Sequence, residues 1–310
     1  MTFLRAPFLW ASNNPFLARR LPRYGFVRRA VRRFMPGERA EDALAEARRL
    51  RDRGAGSILT LLGENATSAA GARGVVDHYR GVLEKARANG LEIAISVKPT
   101  HIGLDLGSGV AEANLKDLIA EAAADRTKVW LDMESSGYVD RTLELYRAAR
   151  AETEHVGLCL QAFLYRTSED LEALLPSRPS IRLVKGAYME AAEMAYAKKT
   201  DVDDAFRRLG GRLMTALARA EAGRPAVGTH DPAMIRHVAE VGERAGVARQ
   251  RWESAMLYGI ATREQDRLLR DGNSLQVLVS YGTHWFPWYM RRLAERPANV
   301  GFVLRQLLPV

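Results

Sequence analysis

The sequence predicts an α/β protein folded as a (β/α)8 TIM-like barrel with additional N-terminal helices. Short apolar, β-branched runs alternate eight times with segments of helical periodicity, and strands that alternate with helices form parallel sheets. The 310 residues suffice for a closed eight-stranded barrel, which uses about 250 residues, and for an N-terminal extension. No linker or change of composition marks a second globular domain, so we predict a basic helical arm over residues 1–55 and a barrel over residues 56–310.

Apolar runs bounded by turn residues predict the strands, in chain order, as Ser57–Leu62, Glu92–Lys98, Lys128–Met133, Val156–Phe163, Ile181–Lys185, Ala226–Thr229, Trp252–Leu257 and Leu275–Tyr281. Helical periodicity between them predicts Arg73–Asn89, Ala111–Ala124, Asp140–Ala151, Val202–Ala222, Pro232–Ala245 and Arg263–Arg270. Glu41–Arg53 is predicted as a helix before the first strand, and the residues after Pro287 as a helix after the last one.

A rival α/β fold, the doubly wound dinucleotide-binding sheet, requires G-x-G-x-x-G directly after an early strand. Gly54-Ala55-Gly56 comes before a strand instead. Gly107-Ser108-Gly109 lies well past the second strand, and Glu112 stands where the third glycine should be. The sequence therefore favours the barrel.

Positive charge is concentrated in the arm. The formal net charge is +9, and residues 1–37 contain eight arginines and no acidic residue, so the rest of the chain is close to neutral. This distribution argues against a nucleic-acid-binding body. Apolar residues recur among the arginines at helical spacing and predict amphipathic helices: Phe26, Val27, Ala30, Val31 and Phe34. These helices pack on the barrel, contact a membrane surface, or do both.

The remaining composition sets the expected compartment. No run approaches the ~20 apolar residues of a membrane-spanning helix, and the first residues lack the apolar core of a signal peptide. We therefore expect a cytoplasmic protein, peripheral to the inner membrane if the arm binds lipid. The single Cys159 excludes an intramolecular disulfide and fits a small buried hydrophobe. No pair of histidines has metal-binding spacing, so no metal site is expected.

Polar side chains fall at the C-terminal ends of six predicted strands: Glu64, Asn65, Lys98, Asp132, Glu134, Gln161, Lys185, His230 and Asp231. In a barrel these ends surround the active site, so the pattern predicts a mouth that binds a polar ligand. Arg182 differs because it lies inside its strand, on the face shared by Val184 and Gly186. A guanidinium aimed into the barrel needs a partner such as a carboxylate, a phosphate or a ring carbonyl.

The segment YGTHWFPWYMRRLAERP, residues 281–297, is the strongest local motif. On a helix, Trp285, Trp288, Arg292 and Glu295 lie near one face, with Arg291 beside them. Arg291 and Glu295 form an i,i+4 pair. Two arginines beside aromatic side chains fit a small carboxylate with an apolar body.

On these motifs the chain resembles proline dehydrogenase, the flavin enzyme that oxidises L-proline, in its single-activity bacterial form. The most specific motifs are RLVKGAY at 182–188 and the segment at 281–297. Leu131–Glu134, Leu160–Phe163, Gly228–Asp231 and Met256–Gly259 support them. The resemblance implies the same barrel fold and the oxidation of L-proline to 1-pyrroline-5-carboxylate. It also implies that a hydride passes to N5 of FAD and that the electrons pass on to a quinone.

The resemblance also implies residue roles. FAD would be bound by Gln161, Arg182, Val184, Lys185, Gly186, Ala187, Tyr188, Lys199, Thr229, His230, Asp231 and Leu257. Among these, Arg182 would lie near flavin N5, Gln161 near the pyrimidine edge and Lys199 near the phosphates. Lys98, Arg291 and Arg292 would pair with the proline carboxylate, and Asp132 and Glu295 would hold those cations in place. The substrate pocket would include Tyr281, Leu278, Leu257 and Trp288, the last as an aromatic lid.

The chain departs from the family at Leu278, where an aromatic residue is usual, and at Ser280, where proline is usual. Ser254 and Ala255 replace bulkier Phe and Gln. A larger pocket gives the alternative hypothesis of a substituted or larger cyclic imino acid, such as hydroxyproline or pipecolate. Two further classes stay open: a flavin-free lyase or aldolase with Lys98 or Lys185 as Schiff-base amine, and a non-catalytic membrane-surface protein built on the arm.

Overall fold

The computed structural model describes residues 31–107 and 109–295, together with Asn14, Phe16, Arg20 and Tyr24. For residues 291–295 it describes the helical backbone and not the side chains. Most of the predicted amphipathic arm, residues 1–30, therefore lies outside the described residues. Its division from the barrel at residue 55 stays a prediction.

Eight parallel strands form a closed barrel in chain order. They are β1 (Gly56–Leu61), β2 (Ile93–Val97), β3 (Val129–Leu131), β4 (Val156–Gln161), β5 (Ser180–Val184), β6 (Ala226–Gly228), β7 (Glu253–Leu257) and β8 (Ser274–Tyr281). Pairing of β8 with β1, from Gln276 beside Gly56 to Tyr281 beside Leu61, closes the sheet. The predicted fold class is confirmed, and each strand begins and ends within two residues of its predicted bounds.

Nine helices lie within the described ranges: α1 (Ala40–Asp52), α2 (Ala69–Ala88), α3 (Val110–Ala124), α4 (Val139–Glu152), α5 (Thr167–Leu174), α6 (Lys199–Ala218), α7 (Pro232–Arg244), α8 (Thr262–Arg270) and α9 (Trp285–Glu295). The sequence analysis missed α5, because eight residues give too few turns for a periodic pattern. Helix α9 begins two residues before Pro287 rather than after it. A proline is tolerated there, since the first turn has no intrahelical acceptor for its missing N–H.

Helix α1 occupies the place in the outer ring that usually belongs to a helix after the eighth strand. It packs against both β1 and β8, and Arg53 at its end pairs with Asp266 on α8 at 2.6 Å. Because α1 fills that place, α9, which follows β8, packs outside the ring. It packs in a separate apolar group, the cap cluster, with the segment before α1 and the residue after β1: Val31, Phe34, Met35, Leu62, Trp285, Phe286, Tyr289 and Met290.

Inward-facing side chains fill the middle of the barrel. Ile58, Trp130, Ala226 and Ala255 form one buried apolar cluster inside the sheet. At the N-terminal end, the Nζ atom of Lys128 donates to Ser180 Oγ at 2.8 Å. With the interior filled below, the free space lies at the C-terminal ends of the strands, where barrel enzymes place their chemistry.

Candidate active site

A cavity of about 500 Å³ lies at the C-terminal ends of the strands. It is lined by every residue that the resemblance assigns to the cofactor: Gln161, Arg182, Val184, Lys185, Gly186, Ala187, Tyr188, Lys199, Thr229, His230, Asp231 and Leu257. Four of the predicted catalytic and pocket residues line it too: Lys98, Asp132, Leu278 and Trp288. The barrel thus brings together side chains from distant parts of the chain around one space.

Arg182 projects from β5 into the barrel, as strand alternation predicts, and is only 4% exposed. Its Nη2 atom pairs with Asp132 Oδ1 and donates to Ser96 Oγ at 2.9 Å. The guanidinium carbon lies 5.3 Å from the centre of the Trp130 ring. Burial opposes the charge, but Asp132 outweighs burial, so the pKa of Arg182 is raised. The cation is therefore a permanent feature of the cavity floor.

Asp132 has a different partner from the one expected. The resemblance implied that Asp132 and Glu295 hold Lys98, Arg291 and Arg292, whereas the described carboxylate of Asp132 is paired with Arg182. Lys98 is paired with Glu64, which follows β1. Asp132 follows β3 and Arg182 lies on β5, and both side chains point into the barrel, where they meet. The implied roles of Asp132 and Glu295 toward Arg291 and Arg292 stay a prediction, because those arginine side chains lie outside the described part of the structure.

His101 lies close to the Lys98–Glu64 pair. A methyl group on Gly63 would come within 2.4 Å of its ring, so the imidazole packs directly on the backbone before Glu64. Burial, followed by the charges of Lys98 and His284, lowers the pKa of His101 to about 4. This imidazole is neutral at physiological pH.

A second charged group lines the cavity between β5 and β6. Lys185 Nζ donates to Asp203 Oδ1 at 2.5 Å and lies 3.5 Å from Asp231 Oδ2. Lys199 pairs with the same Asp203, and its side chain is 77% exposed. Burial raises the pKa of Asp203, but the two lysines outweigh it, and the net pKa is lowered. Sequence reasoning missed Asp203, although its position four residues after Lys199 on α6 is an ion-pair spacing.

Two polar side chains are oriented by backbone atoms. Gln161 Nε2 donates to the Glu134 carbonyl at 2.8 Å. The Leu257 N–H donates to His230 Nε2 at 2.9 Å, which requires that nitrogen to carry no proton. The neutral ring therefore holds its proton on Nδ1.

Glu134, one of the polar strand-end residues, does not line the cavity. It is 4% exposed and accepts hydrogen bonds from Thr100 N at 3.0 Å and from Thr100 Oγ1 at 2.8 Å. Burial raises its pKa. Its role is to join the loops that follow β2 and β3.

Tyr281, predicted as a pocket residue, lies outside the cavity. Its ring is fully buried on the outer face of β8, and its hydroxyl lies 3.0 Å from Nε2 of His78 on α2. The cavity is lined instead by Leu278 and Ser280, which share the other face of the strand. The side chains of Arg291, Arg292 and Glu295 lie outside the described part of the structure, so only their positions on α9 are placed.

The donor set fits an anionic, partly aromatic cofactor such as FAD. Arg182 Nη1 is buried and has no hydrogen-bond partner among the described residues, so a ligand acceptor there would satisfy a costly unpaired donor. The lysines at positions 185 and 199 supply cations where phosphates could lie. Cys159 also lines the cavity, and burial raises its pKa, so it is an inert thiol rather than a nucleophile.

Within the described ranges, no cluster of three or more His, Cys, Asp or Glu side chains could hold a metal ion. Across the same residues, no helix combines the length and the apolar character required to cross a bilayer.

Comparisons with known proteins agree with these observations. The sequence profile of the family described as "Proline dehydrogenase" matches residues 43–305. Proline dehydrogenase 1 of Bacillus subtilis strain 168 is 35% identical over 305 residues, which cover 98% of this chain and 99% of that protein. The proline dehydrogenase of Deinococcus radiodurans is 36% identical over 281 residues, 89% of each chain.

Solved structures match in fold. Proline utilization A from Bdellovibrio bacteriovorus, inactivated by N-propargylglycine, aligns with a TM-score of 0.81 at 20% identity over 95% of this chain and 37% of that chain. The Bradyrhizobium japonicum protein of the same name aligns with a TM-score of 0.72 at 22% identity, over 90% of this chain and 32% of that chain. At these identities the structural likeness shows a shared barrel.

Proposed function

Because the chain belongs to the proline dehydrogenase family, we propose that it oxidises L-proline to 1-pyrroline-5-carboxylate with bound FAD and passes the electrons to a quinone. One observation carries the proposal. The residues that the resemblance assigns to the cofactor come from four strands and their following loops, and they line a single cavity.

The described residues have clear roles in holding the cofactor. When bound, FAD would accept the hydride that leaves the substrate carbon next to nitrogen. Arg182 would donate Nη1, which has no partner within the described part of the chain, to the flavin ring, and Gln161 would contact the pyrimidine edge. Lys185 and Lys199 would neutralise the phosphates, in the manner of other lysine–phosphate contacts.

The substrate would bind through its carboxylate and its ring. Lys98 offers an ammonium at the mouth, and α9 carries Arg291 and Arg292 three and four residues after Trp288. Trp288 lines the cavity, where its ring would cover the apolar ring of proline and exclude water. No strong protein base is needed, only the loss of a proton from the substrate amine.

The first experiment is an absorbance spectrum of the purified protein, repeated anaerobically after addition of L-proline. We expect flavin bands that bleach with proline, and we expect Arg182→Met to slow bleaching by at least about 100-fold through loss of a charged hydrogen bond. Arg207→Met removes a surface ion pair with Asp204 and serves as the control that keeps the wild-type rate. Wild-type protein that holds no flavin even after reconstitution would overturn the proposal.

A second candidate function is the same chemistry on a larger or substituted imino acid. Leu278, Ala255 and Ser280 line one side of the cavity, and Leu278 stands where the family usually has an aromatic residue. We expect wild-type efficiency on 4-hydroxyproline and pipecolate to approach that on proline. Leu278→Phe should then shift selectivity toward proline about 3- to 10-fold, the effect of a modest apolar contact. A strong wild-type preference for unmodified proline would remove this candidate.

The ion pairs of the cavity argue against the flavin-free alternative. A Schiff-base lysine needs an amine that is free to attack a carbonyl carbon, whereas Lys98 is held in an ion pair with Glu64 and Lys185 in one with Asp203. Folded protein without the yellow colour of flavin would be needed to support the flavin-free lyase or aldolase.

A further inference from the structure

We propose that Ser96 is a positioning residue that fixes the direction of Arg182 toward the cofactor, an inference that rests on the proposed function. Ser96 lies on β2, two residues before Lys98, so both side chains share the inner face of the strand. It is fully buried and does not line the cavity. Ser96 therefore acts through its neighbours and not by touching a ligand.

The hydroxyl of Ser96 connects the two charged partners. Arg182 Nη2 donates to Ser96 Oγ at 2.9 Å, and Ser96 Oγ donates to Asp132 Oδ1 at 2.9 Å. The same Nη2 and Oδ1 atoms also contact each other directly. One hydroxyl thus accepts once and donates once, and it closes a triangle of side chains from β2, β3 and β5.

This triangle determines which guanidinium nitrogen stays available. With Nη2 occupied by Ser96 and Asp132, and with the guanidinium lying over the Trp130 ring, the planar group cannot rotate without breaking contacts. Nη1 remains buried without a partner among the described residues. A buried donor without an acceptor carries a desolvation penalty until a ligand accepts a hydrogen bond from it. The arrangement therefore leaves Nη1 available to the cofactor.

Removal of the hydroxyl should release this constraint. In Ser96→Ala, Nη2 loses one acceptor and Oδ1 loses a neutral donor. Arg182 and Asp132 can then pair through both guanidinium nitrogens, which is the preferred geometry of an arginine and a carboxylate. Nη1 would turn from the cofactor to Asp132, and the positive potential at the flavin would fall.

The test compares Ser96→Ala with Thr142→Val. Thr142 on α4 is also fully buried and lies away from the cavity lining, but its hydroxyl has no hydrogen-bond partner among the described residues. We expect Ser96→Ala to slow anaerobic flavin reduction by proline about 10- to 100-fold, as for a lost hydrogen bond to a charged group. We expect its KM to stay within about threefold of wild type, because the lost bond acts on the cofactor rather than on substrate binding. The midpoint potential of the flavin should become more negative, and Thr142→Val should leave all three quantities unchanged.

Two further variants test the inference even if Ser96→Ala folds poorly. Ser96→Cys preserves side-chain volume but hydrogen-bonds weakly, so it should behave like Ser96→Ala even if the alanine variant folds poorly. In an Asp132→Asn background, Ser96→Ala should add little, because both changes disturb one network. A wild-type potential and reduction rate in both Ser96 variants would overturn the inference. Wild-type protein without flavin would instead overturn the proposed function.

Discussion

Arg182 carries its charge where water cannot solvate it, so its neighbours decide what the cavity floor can bind. Asp132 supplies the opposite charge, Ser96 a neutral acceptor and Trp130 an aromatic face. Each of these side chains points inward from a different part of the sheet. The floor therefore presents a cation held by these side chains together with the thiol of Cys159.

Breaking the ion pair between Asp132 and Arg182 should lower the free energy of unfolding. Asp132→Asn leaves the guanidinium buried without its countercharge, and we expect the free energy of unfolding to fall by roughly 3 kcal/mol. The control is Asp204→Asn, which removes the exposed ion pair with Arg207 and should cost less than about 1 kcal/mol. Urea denaturation of the flavin-free proteins measures both. An equal loss of unfolding free energy in the two variants would contradict the expectation that Asp132→Asn leaves a buried charge without its partner.

At single positions, strand alternation was the most informative signal in the sequence. It predicted that Arg182 faces inward, and it could also have excluded Tyr281, which lies an odd number of residues from Leu278. The same rule places Ser96 beside Lys98 on the inner face. The partner of Asp132 could not be predicted, because the pairing spans β3 and β5 and depends on how the barrel closes.

At the scale of elements, α9 is held by the segment that precedes α1. The cap cluster joins Val31, Phe34 and Met35 to the first two turns of α9, and Trp285 Nε1 donates to Glu38 Oε1 at 2.9 Å. Trp288 on the same helix lines the cavity. The N-terminal segment thereby supports the helix that would close over the substrate.

A substitution at Gly259 would test this support of α9 by the N-terminal segment, because Gly259 does not line the cavity. It has φ +72°, and a methyl group on it would lie 1.6 Å from the Arg33 carbonyl oxygen. We expect Gly259→Ala to displace residues 31–35, loosen α9 and raise KM for proline about tenfold, a shift of about 1.4 kcal/mol in binding. Steady-state kinetics with saturating acceptor would measure the change.

The matched control is Gly272→Ala. Gly272 has φ +75°, and an added methyl group would meet nothing within 4 Å. Its substitution should cause only backbone strain of about 1 kcal/mol and leave KM unchanged. If both alanine variants changed KM alike, the effect would belong to backbone strain and not to the docked segment.

Element types were predictable where the pattern was long and regular. All eight strands carry apolar runs bounded by turn residues, and α2, α3, α4, α6, α7 and α8 have clear helical periodicity. The eight-residue α5 lacks that length. The use of α1 in the ring was also not predictable, because it depends on contacts with β8, more than 200 residues later in the chain.

At the scale of the whole molecule, the buried His101 makes the free energy of unfolding depend on pH. Its pKa is lowered from 6.5 to about 4 in the folded protein, chiefly by burial and then by Lys98 and His284. As the pH falls from about 6.5 to 4, the unfolded chain binds a proton that the folded chain does not bind. The unfolding free energy should therefore fall through this window.

The variant His101→Asn should lose this part of the pH dependence. Thermal denaturation between pH 7 and pH 4 should show a shallower decline in Tm for His101→Asn than for wild type. A wild-type slope in His101→Asn would show that other groups carry the acid sensitivity.

The concentration of arginines in the arm makes membrane association one of two hypotheses for it, beside packing on the barrel, and a truncation can test it. Residues 1–30 contain six of the eight arm arginines, whereas Val31, Phe34 and Met35 belong to the cap cluster. A truncation after residue 30 therefore separates the two roles. We expect the full chain to sediment with anionic phosphatidylglycerol vesicles at low salt, and the truncated chain to stay in solution. Sedimentation of both forms would place the lipid contact elsewhere.

The position of α1 between β8 and β1 also has a consequence for synthesis on the ribosome. The helix leaves the exit tunnel early, yet half of its docking surface belongs to the last strand to be made. The part of its apolar face that packs on β8 therefore stays uncovered while most of the chain is translated. The pairing of β8 with β1 thus closes the barrel last, and a ribosome that stalls before β8 would leave part of α1 exposed to chaperones and proteases.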